Sequence, residues 1–209
     1  MMDVIMTGAL LANAGESAHV FTSALEKSWE ISVLDSLQNI HTPWLDKIMV
    51  AITSLGNAGV IWIILAAVLL IIPKTRKVGL CVAIALILDL LITNCLLKNL
   101  VARTRPYDVA GFTDLIVKKP ADYSFPSGHT AASFAAVAAL FMSRERLLGW
   151  IACVLAVLIA FSRMYLYVHY PTDILGGIAV GVLAGVMAGI ILSLINKKLP
   201  ERWRTDGQV

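Results

Sequence analysis

Three short stretches hold residue types that apolar packing alone does not call for. Lys98 and Arg105-Pro106 have six residues between the two cations, nearly two helical turns, so both project from one side of a helix that Pro106 ends. Pro126-Ser127-Gly128-His129 stands immediately before an alanine-rich run. Pro at a helix start, a short hydroxyl and a glycine leave backbone N–H groups free to meet an anion at the positive end of the dipole, and His129 supplies a proton beside them. Ser162-Arg163 is followed after five residues by His169 and after three more by Asp173. Pro171 is a natural first helical residue, which places Asp173 in a first helical turn where its carboxylate orients the imidazole of His169. That pair reads as a nucleophile or base with its orienter.

Each cluster has a plainer reading by itself. Lys98 and Arg105 snorkel to an interface, Ser127 caps a helix beside an incidental histidine, and Asp173 complements a helix N-terminus. What opposes those readings is where the elements put the three clusters. Of 209 residues, 58% are hydrophobic and 15% charged, where soluble domains hold near 25% charged, so the chain reads as a bundle of membrane helices. Apolar runs cover about 48–72, 78–97, 128–143, 147–162 and 174–195, several near the ~20 residues a bilayer core requires. If each crosses once, all three polar clusters collect at one end. Three cations, two histidines and a carboxylate converge there, which is an arrangement for chemistry on an anion.

The expected fold is therefore all-α, a polytopic membrane bundle of five or six transmembrane helices with an N-terminal amphipathic helix. Trp29, Val33, Leu34, Leu37 and Ile40 share a face at helical spacing, and the opposite face is acidic or neutral, which favours covering the bundle over lying on lipid. The boundaries read 1–47 for the amphipathic or interfacial segment, 48–195 for the membrane domain and 196–209 for a basic tail. Leu55-Gly56-Asn57-Ala58-Gly59 interrupts the first run and predicts a kink or a split. The net charge of +3 is too small to suggest nucleic acid as a partner. Cys81, Cys95 and Cys153 lie in apolar runs and read as core packing. Asp3, with no basic segment before the first apolar stretch, argues against a cleaved secretory signal.

The three clusters resemble the tripartite signature of the type 2 phosphatidic acid phosphatase superfamily, each element matched without substitution over about 98–173. The resemblance implies that His169 attacks phosphorus and becomes a phosphohistidine while Asp173 holds its tautomer. It implies that His129 protonates the departing oxygen and then activates water. Lys98, Arg105 and Arg163, with Ser127 and the Gly128 N–H, would hold the phosphoryl oxygens. It implies no metal and no cofactor, and the chain offers no Asp and Glu spaced to hold magnesium between the motifs. The implied substrate is a membrane lipid phosphate or diphosphate, with undecaprenyl diphosphate favoured and phosphatidic acid or phosphatidylglycerol phosphate as the alternative. A vanadium haloperoxidase would use the same pocket, against which the membrane runs argue. A non-enzymatic anion transporter lacks its usual pointer, an inverted repeat with broken helices. Oligomeric state is left open.

Other polar residues read as structural. Asp89 lies nine residues before Lys98, on the opposite side of an α-helix at 100° per residue, and is expected to bond to Thr93. His19 and His41 fall in the N-terminal segment, with His41-Thr42-Pro43 as a helix entry. Gly177, Gly181, Gly185 and Gly189 form a stripe that continues from Asp173, so the stripe is expected to pack within the molecule instead of forming a dimer.

Orientation follows from charge. One set of connections carries Lys74, Arg76, Lys77, Arg144, Arg146, Lys197, Lys198, Arg202 and Arg204. The other side carries six cations, Lys98, Arg103, Arg105, Lys118, Lys119 and Arg163, three of which the anion site itself uses. The positive-inside rule then puts the anion site on the extracytoplasmic side of a bacterial plasma membrane, with Trp150 and Trp203 near the cytoplasmic boundary. In a Cys-free background, a Cys at Ala121 should react with a membrane-impermeant maleimide in intact cells and a Cys at Thr75 only after lysis. The reverse pattern would place the site in the cytoplasm.

Overall fold

The computed structural model describes residues 29–198; readings placed on residues 1–28 and 199–209, His19 and Trp203 among them, lie outside the described residues. Proline at the first position opens three of the helices, where its missing N–H costs nothing. The elements are α1 (Glu30–Gln38), α2 (Pro43–Leu55), α3 (Val60–Ile71) and α4 (Arg76–Asp89), which continues through a π-helical stretch, Leu90–Leu97, into α5 (Lys98–Val101). They are followed by α6 (Pro106–Ala110), α7 (Gly128–Met142), α8 (Arg146–Tyr165) and α9 (Pro171–Lys198).

Among the described residues, three stretches are long and apolar enough to cross a bilayer, Pro73–Ala110, Arg146–Tyr165 and Pro171–Asn196. α2 and α3 are long and apolar enough only when taken together, and they are bent by 46° at the interruption read from the sequence, the form of a broken span or of a re-entrant loop. The expected fifth run is α7, whose 15 residues span only ~22 Å at 1.5 Å per residue, short of the ~30 Å hydrocarbon core. It has little lipid to match, because Ala131, Ala135, Ala136, Ala139 and Leu140 are fully buried among the other helices.

The glycine stripe explains how α7 sits so deep. A Cβ on Gly181 would lie 2.3 Å from the Ala131 carbonyl oxygen, and one on Gly185 2.7 Å from that of Ala135. The stripe thus packs within the molecule, against the backbone of α7. The basic connections gather at the end of the bundle away from the three polar clusters: Lys77 lies beside Asn196, and Gly189 beside Met142. Large side chains such as Leu147, Ile151 and Val154 cover the outside of α8, which is the inverted surface a lipid environment requires.

Two details differ from the sequence reading. In α1, Ile31 and Leu34 are buried while Val33 is exposed, as are Trp29 and Ile40 just beyond its two ends. The helix is rotated because Glu30 points inward, bonded to Arg103 and Thr172, and one buried ion pair outweighs the apolar stripe in choosing the face. Cys81 is buried as expected, but Cys95 is exposed, since its π-helical segment turns it outward. Gly181→Ala should destabilise the fold by about 1–3 kcal/mol through overpacking against backbone, read as a lower thermal midpoint in detergent. Leu183→Ala, on the exposed side of the same helix, should change it by much less; equal effects would mean that the α7–α9 contact is looser than the structure has it.

Candidate active site

At one end of the bundle the α4–α5 rod stops, and a left-handed residue, Ala102 at φ 48°, turns the chain across the mouth. Lys98 is the last inward side chain of that rod. Arg105 follows on the turn, Gly128 and His129 open α7, Arg163 lies in the last turn of α8, and His169 stands in the loop before α9. These six residues line one depression of about 690 Å³. Six of the eight residues singled out from the sequence thus meet around one space. The other two stand behind it.

Asp173 is fully buried behind His169, its Oδ2 3.3 Å from Nδ1 of the ring. The same oxygen accepts from the Tyr170 backbone N–H at 2.9 Å and from the Ser124 hydroxyl. Oδ1 accepts from Arg103 at 2.7 Å. Ser127 is also fully buried: its N–H donates to the Asp173 carbonyl oxygen at 3.1 Å and its hydroxyl accepts from Thr130 at 3.0 Å. In this state Ser127 therefore ties α7 to α9 and presents no hydroxyl to the depression.

The tautomer of His169 follows from its neighbours. Arg105 Nη1 lies 3.2 Å from Nε2, and a guanidinium only donates. Nε2 must then hold its lone pair, and the proton sits on Nδ1, toward Asp173. Burial, reinforced by the Arg105 and Arg163 charges, outweighs the Asp173 carboxylate and pushes the His169 pKa down to about 3. His129 is held from the break between α2 and α3, its Nε2 3.0 Å from Asn57 Oδ1. Gly56 leaves it room, since a Cβ there would lie 2.8 Å from the ring. Arg163 donates to Thr53 at 2.6 Å, while its buried Nε has no hydrogen-bond partner among the described residues.

Several contributing residues carry no signal in the three motifs. Asp122 bridges the site: one carboxylate oxygen meets Lys98 Nζ and the other lies 2.6 Å from Arg105 Nη2. Burial would raise its pKa, but these two cations overcome it and hold it at about 2. Arg103, counted only as an outer cation from the sequence, joins Asp173 to Glu30 at 2.6 Å and stacks over Tyr170. Asn57, Thr53 and Ser124 were likewise invisible, because each acts from a segment far along the chain.

A second cavity, apolar and about 620 Å³, meets the first at Lys98, Asp122, Gly128 and His129. It runs between α3 and α4 past Ile63, Ala66, Leu86 and Ile87. Asp89 borders it on the same side as Lys98, contrary to the α-helical expectation, because the π-helical stretch between them changes the register. Its bond to Thr93 is as expected, at 2.7 Å.

A sequence model of the PAP2 superfamily matches residues 76–198, more than half of the chain. The chain belongs to that superfamily. An undecaprenyl-diphosphatase from Sulfolobus acidocaldarius is 32% identical over 137 residues, 66% of this chain and 66% of that protein. Phosphatidylglycerophosphatase B from Bacillus subtilis is 33% identical over 178 residues, covering 79% of this chain and 83% of its own. The crystal structure of a transmembrane PAP2 type phosphatidylglycerolphosphate phosphatase from B. subtilis superposes with a TM-score of 0.64 at 27% identity, over 87% of this chain and 94% of that one. This PAP2 protein is accordingly an integral membrane phosphatase.

The geometry predicts the protonation state of His169 directly. Its folded pKa is depressed below the ordinary value of about 6.5, so below that pH the unfolded chain binds a proton that the folded chain refuses, and His169 costs stability progressively as pH falls toward 3. Nitrogen NMR of the labelled protein, with the resonance assigned through His169→Asn, should find a neutral Nδ1–H ring at pH 5. A charged ring at that pH would contradict the site as described.

Proposed function

We propose that this PAP2 phosphatase hydrolyses a membrane lipid phosphate or diphosphate through a phosphohistidine, with undecaprenyl diphosphate as the first substrate to test. The observation that carries the reading is the junction of the two cavities. An apolar groove suited to a lipid chain ends at Lys98 and His129, where the cation-lined depression holding His169 begins. A lipid can keep its chain among apolar side chains while its phosphoryl group meets the cations.

The His169 Nε2 lone pair attacks phosphorus, the N–P bond forms, and the bond to the leaving oxygen breaks with its electron pair passing to that oxygen. His129 supplies the proton. In the second step His129 takes a proton from water as its oxygen attacks phosphorus, and the N–P bond breaks to return the lone pair to His169. Lys98, Arg105 and Arg163, with the Gly128 N–H, hold the phosphoryl oxygens; Arg163 has an N–H without a partner among the described residues, ready for one of them. Ser127 accepts from Thr130 and keeps its own O–H to donate, so it joins this set only if its buried side chain turns toward the depression. Asp173 keeps Nδ1 protonated, so that Nε2 is the attacking atom. The reaction needs no metal on this reading and persists in EDTA.

The similarity to an undecaprenyl-diphosphatase supports a polyprenyl diphosphate substrate. The longer alignment with a phosphatidylglycerophosphatase supports phosphatidylglycerol phosphate or phosphatidic acid as the second reading. With the basic connections retained in the cytoplasm, the site releases phosphate outside a bacterial plasma membrane, where a spent lipid carrier is recycled.

Phosphate release over a micellar lipid panel decides among these substrates. His169→Ala should lose at least ~10⁴ of turnover, because it removes the nucleophile, and His129→Ala about 10²–10⁴. Rapid quench with labelled lipid should find acid-labile, base-stable phosphoprotein in wild type and none in His169→Ala. Label on His169→Ala would overturn the assignment.

A further inference from the structure

Asp122 stands where the proposed substrate has to bind. Its carboxylate spans Lys98 and Arg105 with one oxygen on each, the same two cations that the proposed function gives to phosphoryl oxygens. It also borders both cavities, at the point where a headgroup passes from the apolar groove into the depression. A carboxylate with two oxygens on two cations is the geometry of a bound anion, supplied here by the protein itself.

The side chain and the backbone of Asp122 are held differently. The carbonyl oxygen accepts from Arg105 Nε at 2.8 Å, and the following segment is tied down by the Ser124 N–H on the Arg103 carbonyl oxygen at 2.9 Å and by the Ser124 hydroxyl on Asp173. The side chain, in contrast, is 51% exposed. Rotation of the side chain into solvent therefore releases Lys98 Nζ and one Nη2 N–H of Arg105 without moving the loop, while Arg105 stays anchored on the Asp122, Tyr123 and Val168 carbonyl oxygens. The charge does not vanish when it leaves, since a solvated aspartate has a pKa of about 3.9 and stays ionised at neutral pH. It remains close to the depression and opposes any anion that enters.

We infer that Asp122 is a specificity residue that acts as a competing anion for the phosphoryl site, selecting membrane-borne phosphoryl groups over free inorganic phosphate. This rests on the proposed function. A phosphoryl group tethered to a lipid reaches the cations at the high local concentration of a two-dimensional solution and displaces the carboxylate. Inorganic phosphate, the product, comes from dilute bulk solution and has to displace the same carboxylate unaided. Asp122 thus weakens product binding and speeds emptying of the site. Discrimination of this kind comes from a repulsive element built against the wrong ligand as well as from contacts to the right one.

The test is calorimetric titration of inorganic phosphate into the purified full chain, wild type, Asp122→Asn and Asp122→Ala, with Asp114→Asn as a control on an exposed carboxylate of the same loop that lines neither cavity. Removing the competing charge should tighten phosphate binding by at least about tenfold in both Asp122 variants, a change of ~1.4 kcal/mol, and leave Asp114→Asn as wild type. The phosphate inhibition constant in the lipid assay should fall in parallel. Unchanged or weaker phosphate binding in whichever Asp122 variant folds would overturn the inference, since it would make the carboxylate a bystander or a helper. Binding is read without turnover, so a wild type that hydrolyses none of the lipids defeats the proposed function in the assay, while the titration reports separately on Asp122.

Discussion

A carboxylate with no exposed surface survives in a membrane protein only when donors surround it, and the active end of this molecule is organised around one such group. Asp173 collects the Tyr170 N–H, the Ser124 hydroxyl, His169 and Arg103. Those donors come from the loop before α9, the loop before α7 and the link after α5. Arg103 extends the same network to Glu30 on α1, and the Asp173 carbonyl oxygen receives the first turn of α7 through Ser127. Satisfying one charge thus fixes four segments relative to each other. His169 needs no separate device to be placed.

The remaining constraint is distance between backbones. α7 is too short to span lipid and carries Gly128 and His129 at its start, so it has to be carried by its neighbours. The glycine stripe of α9 lets the two helices approach to a separation that any side chain would forbid. On the other side, the bend between α2 and α3 sends Asn57 to His129 and Thr53 to Arg163. The bent pair therefore serves the site twice, from α2 through Thr53 and from the break itself through Asn57.

Much of this was readable in the residues. The three clusters pointed to one convergent polar site, because cations, histidines and a carboxylate are expensive at a membrane and recur at one end of the runs, and six of their residues do line one depression. The break at Gly56 and the inward stripe of α9 were equally plain, since glycine spacing speaks to backbone approach. What failed did so for stated reasons. The face of α1 was taken from its apolar residues, but Glu30 decided it, and an ion pair with a residue 73 positions away leaves no local trace. The side of Asp89 was computed for an α-helix, and a π-helical stretch is not announced by composition. Asp122 belongs to no motif, because its importance lies in the two cations it meets and not in its neighbours along the chain.

The apolar groove has a consequence for how this enzyme measures its substrate. Its walls include Ile63, Leu70, Ile87 and Leu90, all of which are also exposed on the outside of the bundle, so the groove is continuous with the lipid-facing surface. On the proposed reading a substrate enters sideways, without leaving the bilayer. The quantity that governs its rate is then a mole fraction among lipids, not a concentration in water. Diluting the membrane with inert lipid slows such an enzyme at constant substrate per litre, and diluting the suspension with buffer does not.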